Sequence, residues 1–306
     1  MAKKLVPLVA LTTCATPALA EGQTALLTSE DLANFDNPPA DTRIHYGNNP
    51  LQFGDLRIPP GNGPHPVAIF IHGGCWLNEY DISHSSKLTA ALARNGIATW
   101  SLEYRRVGDA GGGWPGTFQD VGCGTDHLRS IADEYHLDLD RVILMGHSAG
   151  GHLALWAAAR SHLPTDAPIS STNPLAVRGV LALAPAPDLP YLHEQAICEH
   201  VVDKLMGGSP AEFPDRYRWG DPLQLAPEGV RQVLIVGKYD VDWGPPGRRY
   251  FRAATERGDD IRLIEATEAG HFELIDPDSG SWQLVLGAAR ELLEANQRTM
   301  TGDTKY

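Results

Sequence analysis

The sequence lacks several features that mark common classes of protein. It has four cysteines in 306 residues, and no two of them form a C-x-x-C pair, which argues against a zinc or dithiol redox site. No basic block offsets the formal net charge of −13, which argues against a nucleic-acid or anionic-membrane partner. No H-E-x-x-H motif of a zinc hydrolase is present, and no apolar run would comfortably span a bilayer. We therefore expect no cofactor, no metal, no nucleic acid and no membrane span.

The first twenty residues differ in character from the rest of the chain. MAKK carries two lysines, LVPLVALTTCATPA is mostly apolar, and ALA at 18–20 has the small-x-small form of a cleavage site. We predict a secretory signal peptide over 1–20, cleaved after Ala20, and export to the periplasm or medium of a bacterium. A lipoprotein signal at Cys14 is disfavoured because Thr13 stands where such sites carry a very small residue.

Three cysteines would remain after that cleavage, namely Cys75, Cys123 and Cys198. An exported protein can oxidise two of them and leave the third free. Buried unpaired thiols are equally compatible with the sequence, because free cysteine packs as a small apolar residue. The sequence leaves both possibilities open.

Short apolar runs rich in Val and Ile alternate with stretches that suit helices. Runs that are apolar on both faces are typical of central strands in a parallel sheet. Two short strands are predicted within 42–59, and further strands over 66–72, 96–104, 141–147, 177–185, 231–237 and 261–266. Helices are predicted over 84–94, 117–136, 149–162, 248–258 and 280–296. This alternation predicts an α/β protein with one doubly wound, mostly parallel sheet in a single domain over 21–306.

Two segments interrupt this rhythm. Residues 191–227 are too few for a domain, and we interpret them as a short insertion over the carboxyl ends of the strands, where binding sites in open sheets lie. GGGWPG at 111–116 matches G-x-G-x-x-G by letter, but it contains Pro115, no helix begins within it, and no acidic residue at a strand end follows about twenty residues later. We interpret it as a flexible loop that ends at a helix cap, Thr117.

GHSAG, residues 146–150, lies between the apolar run RVILM and a predicted helix. No lysine follows to bind a phosphate, so a phosphate-binding loop is disfavoured. G-x-S-x-G between a strand and a helix is typical of a sharp turn that exposes a nucleophilic serine, with glycines where side chains would collide. The pattern predicts Ser148 as a nucleophile.

A nucleophilic serine requires a base and a group that orients the base. His271 follows the last predicted strand, and Asp240 lies at the end of the strand before it. The order Ser148, Asp240, His271 is the order found in strand–serine–helix hydrolases. Asp242 is the competing acid, two residues further on. For His147, His152, His193 and His200 we expect packing or surface roles.

Acyl transfer also requires donors for the oxyanion that forms on the substrate. The backbone N–H of Ala149, next after the serine, is one candidate. Gly73 and Gly74 in HGGCW, after the strand at 66–72, are the others, because glycine lets the backbone approach a substrate closely. Trp76, Trp114 and Trp243 lie in loops at the same edge, and we predict that Trp76 contributes to substrate binding.

HGGCW, GHSAGGHLALW and GHFELIDP together resemble the α/β-hydrolase superfamily, and are similar to the branch containing kynurenine formamidases and feruloyl-esterase-like proteins. LMGGSPAEFPDRYRWGDPLQLAP is similar to the segment of that branch before the penultimate strand. The resemblance covers roughly residues 60–296. It implies an α/β-hydrolase fold, the triad Ser148, Asp240 and His271, and oxyanion donors at Gly73, Gly74 and Ala149.

This resemblance implies a serine hydrolase that acts on a small-molecule ester or formamide. We predict a carboxylesterase for short acyl or aryl esters, because the insertion is too short to form a deep lipid tunnel. The alternatives are an arylformamidase, then a serine peptidase or a non-catalytic binding protein of the same fold. The oligomeric state and the physiological substrate do not follow from the sequence.

Overall fold

A computed structural model describes residues 26–294 of the chain. The predicted signal peptide at 1–20 lies outside the described residues. Within 26–294, no helix combines the length and the apolar character needed to cross a membrane.

One sheet organises this part of the protein. Its strands are β1 Thr42–His45, β2 Phe53–Arg57, β3 His65–Ile71, β4 Ala98–Leu102, β5 Leu137–His147, β6 Gly179–Leu183, β7 Arg231–Gly237 and β8 Ile261–Ala266. Their order across the sheet is β1-β2-β4-β3-β5-β6-β7-β8. β1 and β2 pair antiparallel, as do β2 and β4, and every other pairing is parallel. The predicted doubly wound, mostly parallel sheet is confirmed.

Helices cover both faces of this sheet. They are α1 Ser86–Arg94, α2 Gly116–Ile131, α3 Ala149–Ala159, α4 Leu189–Glu194, α5 Ile197–Met206, α6 Pro214–Gly220, α7 Pro222–Leu225, α8 Gly244–Arg257 and α9 Trp282–Glu294. Side chains of α1 and α9 pack in one core layer, and those of α2, α3 and α8 pack in the other. Ile69 and Ile71 point into the second layer while Ala68 and Phe70 point into the first, because successive side chains of a strand alternate.

Two elements begin earlier than the apolar pattern predicts. β5 starts at Leu137 rather than 141, because Leu137 pairs with His65 through the backbone and such pairing needs no apolar side chains. α2 accordingly ends at Ile131. α8 starts at Gly244 rather than 248, since the two prolines that follow suit the first turn of a helix.

α4 to α7 fill the predicted insertion, with α4 beginning two residues before it, and pack over α3. The Trp156 indole Nε1 donates a hydrogen bond to the carbonyl of Trp219, at 2.9 Å. His152 Nε2 lies 2.8 Å from the carbonyl of Gly220, so this nitrogen is the donor. These bonds hold the insertion beside the carboxyl ends of β3, β5 and β7, the edge at which open α/β sheets bind ligands.

Candidate active site

Ser148 stands at the turn between β5 and α3 with a backbone φ of 56° and ψ of −119°. Residues that carry a side chain rarely adopt a positive φ, so tight packing around Ser148 must hold its backbone in this conformation. A Cβ at Gly146 would overlap the carbonyl of Gly150, and a Cβ at Gly150 would overlap the carbonyl of Ile71. Only glycine fits on either side of the serine, which accounts for the glycine spacing in GHSAG.

The structure brings His271 and Asp240 together from two loops 31 residues apart. His271 Nδ1 lies 2.7 Å from Asp240 Oδ2, and the other carboxylate oxygen accepts the Trp243 backbone N–H at 2.9 Å. An ionised carboxylate only accepts hydrogen bonds, so Nδ1 donates to Asp240, and in the neutral ring this leaves the lone pair on Nε2. That tautomer is the one in which Nε2 can accept a proton.

Asp242, the competing acid, lies in a different environment. Its side chain is exposed and lines an outer groove with Tyr191 and Trp243. Asp240 is 5% exposed and contacts the imidazole directly. Of the two carboxylates, the structure places Asp240 beside His271.

Ser148 and His271 line the same small cavity, whose volume is about 70 Å³. The remaining walls come from the loop after β3, from the loop after β7 and from the segment following His271. The lining residues are Ser29, Gly74, Cys75, Tyr80, His84, His147, Ser148, Trp243, His271 and Phe272. The Trp243 ring stacks on the imidazole, with centroids 5.6 Å apart and planes 30° from parallel.

The three predicted oxyanion donors surround this serine. A Cβ built at Gly73 would meet the Ser148 Cβ at 3.2 Å, so the loop after β3 presses directly against the nucleophile. Gly74 lines the cavity itself. Ala149 is the first residue of α3, and the first N–H groups of a helix have no acceptor within it and lie at its positive end.

A buried charged network supports this loop from below. His72 contacts the carbonyl of Gly73 through Nδ1 at 2.8 Å and the Glu103 carboxylate through Nε2 at 3.0 Å. The Gly73 carbonyl only accepts hydrogen bonds, so Nδ1 donates to it, and Nε2 faces the carboxylate. Burial alone would raise the pKa of Glu103, but His72 and Arg106 hold that pKa below its ordinary value. The network ties the loop carbonyl to the end of β4.

A second histidine chain, which the sequence did not reveal, lies behind His271. His147 Nε2 is 3.1 Å from the carbonyl of His271, and His147 Nδ1 is 2.9 Å from His84 Nε2. Burial lowers the pKa of His84 to about 3 and that of His147 well below 6.5, so both rings are neutral. The carbonyl can only accept, so His147 donates from Nε2 and accepts from His84 at Nδ1. These two hydrogen bonds hold the backbone carbonyl of His271 in place.

Trp76 requires a correction. It is 1% exposed, and its ring packs edge-on against His152 at 5.2 Å beneath the loop, so it belongs to the core rather than to a substrate surface. Trp114 stacks on Trp219 in the insertion. Trp243 is the member of the predicted trio that lines the cavity. The sequence around Trp76 does not show whether its ring points to the core or to the cavity, because that depends on the packing of α3 beneath the loop.

The structure joins Cys75 and Cys198 in a disulfide and leaves Cys123 free and exposed. It thereby chooses between the two possibilities that the sequence left open. His193 and His200 lie in the insertion near Asp203, away from the serine. Thr117 is the second residue of α2 rather than its cap, and its hydroxyl donates to the carbonyl of Arg105.

Several curated relatives of this chain are named as esterases, and others as acylamino-acid-releasing enzymes. Esterase LipC of Mycobacterium tuberculosis is 25% identical over 255 residues, which are 81% of this chain and 61% of that protein. A probable isoprenylcysteine alpha-carbonyl methylesterase of Arabidopsis thaliana, ICMEL1, is 33% identical over 121 residues, 39% of this chain and 25% of that protein. The chain thus spans between a quarter and three fifths of the length of these two relatives.

Solved structures share the fold at low sequence identity. A truncated carbohydrate esterase from gut microbiota superposes with a TM-score of 0.72 and 20% identity, covering 84% of this chain and 99% of that one. Esterase B of Lactobacillus rhamnosis gives the same TM-score with 22% identity, covering 86% and 89%. The model of the BD-FAE family matches residues 55–240, which extend from β2 through the serine turn to Asp240. The chain therefore belongs to the BD-FAE family, an esterase family of the α/β-hydrolase fold.

Proposed function

We propose that this chain is a serine carboxylesterase that works through an acyl-enzyme. Ser148 is the nucleophile, His271 the base, Asp240 the acid that orients the base, and Gly73, Gly74 and Ala149 the oxyanion donors. One observation carries the proposal. A serine held at a positive φ shares a small cavity with a histidine whose Nδ1 is bound by a buried carboxylate.

The reaction follows from these positions. His271 Nε2 takes the Ser148 proton as the hydroxyl oxygen attacks the ester carbonyl. The carbonyl oxygen becomes an oxyanion, which backbone N–H groups of the loop after β3 and of Ala149 stabilise. The imidazolium, paired with Asp240, returns the proton to the departing alkoxide, and an acyl-serine remains. Water then repeats the sequence from the same side, releasing the acid and the free serine.

The dimensions of the site favour a short acyl group. The cavity beside Ser148 has a volume of about 70 Å³, which favours a small acyl group over a long chain. A larger groove of about 430 Å³ adjoins it at Trp243 and is lined by Tyr191 and Gln195 among others. This groove would receive the other part of the ester. Long acyl chains have no comparable space among the residues that line the inner cavity.

A substrate panel tests the proposal. We would measure kcat/KM of the purified protein for p-nitrophenyl acetate, butyrate and palmitate, methyl ferulate and N-formylkynurenine. The proposal expects acetate or butyrate to exceed palmitate. A kcat/KM for N-formylkynurenine at least about 10²-fold above every ester would replace the esterase by an arylformamidase, because such a gap requires a site shaped for that substrate. Absence of labelling by a fluorophosphonate probe would count against an activated serine altogether.

A further inference from the structure

The loop after β3 contains a turn that its own residues disfavour. In Gly74–Cys75–Trp76–Leu77 the Leu77 N–H donates to the Gly74 carbonyl at 2.9 Å, and both central residues have positive φ, 50° for Cys75 and 56° for Trp76. Turns with two positive φ values strongly prefer Asn-Gly, because side chains other than asparagine and glycine are crowded there. Neither Cys75 nor Trp76 supplies that preference. Something outside the turn must hold it.

Besides the His72 bond to the Gly73 carbonyl, which holds the peptide just before the turn, two restraints on the turn itself are visible. The Trp76 ring is buried in the core, and the segment just after it pairs with Val107, whose N–H donates to the Trp76 carbonyl at 2.8 Å. Those contacts fix the second half of the turn. The first half is held through Cys75, whose sulfur is bonded to Cys198 in α5 of the insertion, 123 residues further along the chain.

The position of this bond ties it to the chemistry. Cys75 directly follows Gly73 and Gly74 and lines the cavity with Ser148. A rotation of the Cys75 backbone out of the positive-φ region would turn the preceding peptide groups, whose N–H direction is what an oxyanion requires. Cys198 lies in a short left-handed stretch, with a φ of 47°, that leads into the part of α5 buried through Val201 and Val202.

We propose that the Cys75–Cys198 disulfide is a positioning element, which holds the loop after β3 in the conformation that presents its N–H groups to the oxyanion. This inference rests on the proposed function, since it assumes that Gly73 and Gly74 are the oxyanion donors. Breaking the bond would then lower kcat while leaving KM nearly unchanged. The enzyme would be most active where disulfides persist.

A disulfide across 123 residues also stabilises a fold in general, so the experiment must separate the two effects. We would compare Cys75→Gly/Cys198→Ser with Cys75→Ala/Cys198→Ser. Both variants lack the bond, and they differ only in the Cβ at residue 75. Glycine enters the positive-φ region freely whereas alanine does not. The proposal expects the alanine variant to lose about tenfold or more in kcat on p-nitrophenyl acetate, and the glycine variant to recover most of that loss.

Reduction of the unmodified protein gives a second measurement. Dithiothreitol donates two electrons and two protons, the Cys75–Cys198 bond breaks into two thiols, and the reagent closes to its cyclic disulfide. We expect kcat to fall with unchanged far-ultraviolet circular dichroism. Cys123→Ser should respond like the wild type, because this exposed thiol is free. The glycine double variant should not respond.

Equal kcat values for the glycine and alanine variants would overturn the proposal, as would unchanged kcat in wild type shown by thiol titration to be reduced. If the alanine variant fails to fold, the reduced wild type set against the glycine variant decides the question. Failure of the proposed function looks different. In that case the oxidised wild type itself would not hydrolyse p-nitrophenyl acetate.

Discussion

Replacing Asp240 by asparagine should reverse the tautomer of His271. Asp240 accepts two hydrogen bonds, from His271 Nδ1 at 2.7 Å and from the Trp243 backbone N–H at 2.9 Å. An asparagine amide has one acceptor oxygen, and the Trp243 N–H requires that oxygen on its own side. The NH₂ group then faces Nδ1, which must accept, so the ring proton moves to Nε2. In that form the imidazole cannot take the proton of Ser148.

The expected loss is on the order of 10⁴ in kcat, the size seen when other triads receive this change. It corresponds to about 5.4 kcal/mol of transition-state stabilisation. The fold should be nearly unaffected, because asparagine has almost the shape of aspartate and retains the bond from Trp243. A loss of kcat without a loss of unfolding free energy is therefore the expected signature.

The assay is initial-rate hydrolysis of p-nitrophenyl acetate, with Asp242→Asn as the matched control. Asp242 is exposed two residues further on, so its substitution should leave kcat within about threefold. A folded Asp240→Asn protein that turns over within about tenfold of wild type would refute this reasoning. A severe defect in Asp242→Asn together with a mild one in Asp240→Asn would transfer the role to Asp242.

Three further outcomes are expected. Ser148→Ala should lower kcat by about 10⁴ or more with little change in unfolding free energy, and near-normal turnover would end the proposal of a serine nucleophile. The folded-state pKa of His84 is about 3 whereas the unfolded value is 6.5, so unfolding binds a proton between those pH values and wild-type stability falls as pH drops from 6.5 to 3. His84→Gln should flatten this dependence by up to about 1.4 kcal/mol per pH unit, measured by urea unfolding at several pH values, and parallel curves would count against it. Mass analysis of protein made by a bacterium with its own export system should give an N-terminus at Glu21, and an intact Met1 would contradict the predicted signal peptide.

Local pattern alone was enough to predict the sheet and the serine turn. The runs at 231–237 and 261–266 coincide with β7 and β8. β7 is apolar because it is buried on both faces, whereas β8 lies at the edge of the sheet and exposes Arg262 and Glu265. GHSAG predicted the turn at Ser148. A Cβ at either of its flanking glycines would overlap backbone atoms of the turn itself or of the adjoining strand, so only glycine fits there. These constraints involve residues that are close together in the chain or in adjoining strands, so the sequence pattern alone predicts them.

The direction of individual side chains was decided only by the tertiary structure. Trp76 and Trp243 both lie in loops that follow strands. Trp76 packs against His152 in the core, whereas Trp243 stacks on His271 and lines the cavity. Asp240 and Asp242 differ by two residues, and only the path of the chain after β7 places the first beside the imidazole.

Partners far apart in the chain could not be paired from the sequence. Three cysteines allow several outcomes, and Cys75 meets Cys198 only because the insertion folds back over the loop after β3. His84 and His147 are 63 residues apart, and nothing in the sequence paired His147, for which we expected a packing or surface role, with His84. The sequence shows the size and polarity of each side chain. Which atom that side chain contacts depends on how α1, β5 and the loop of His271 pack together.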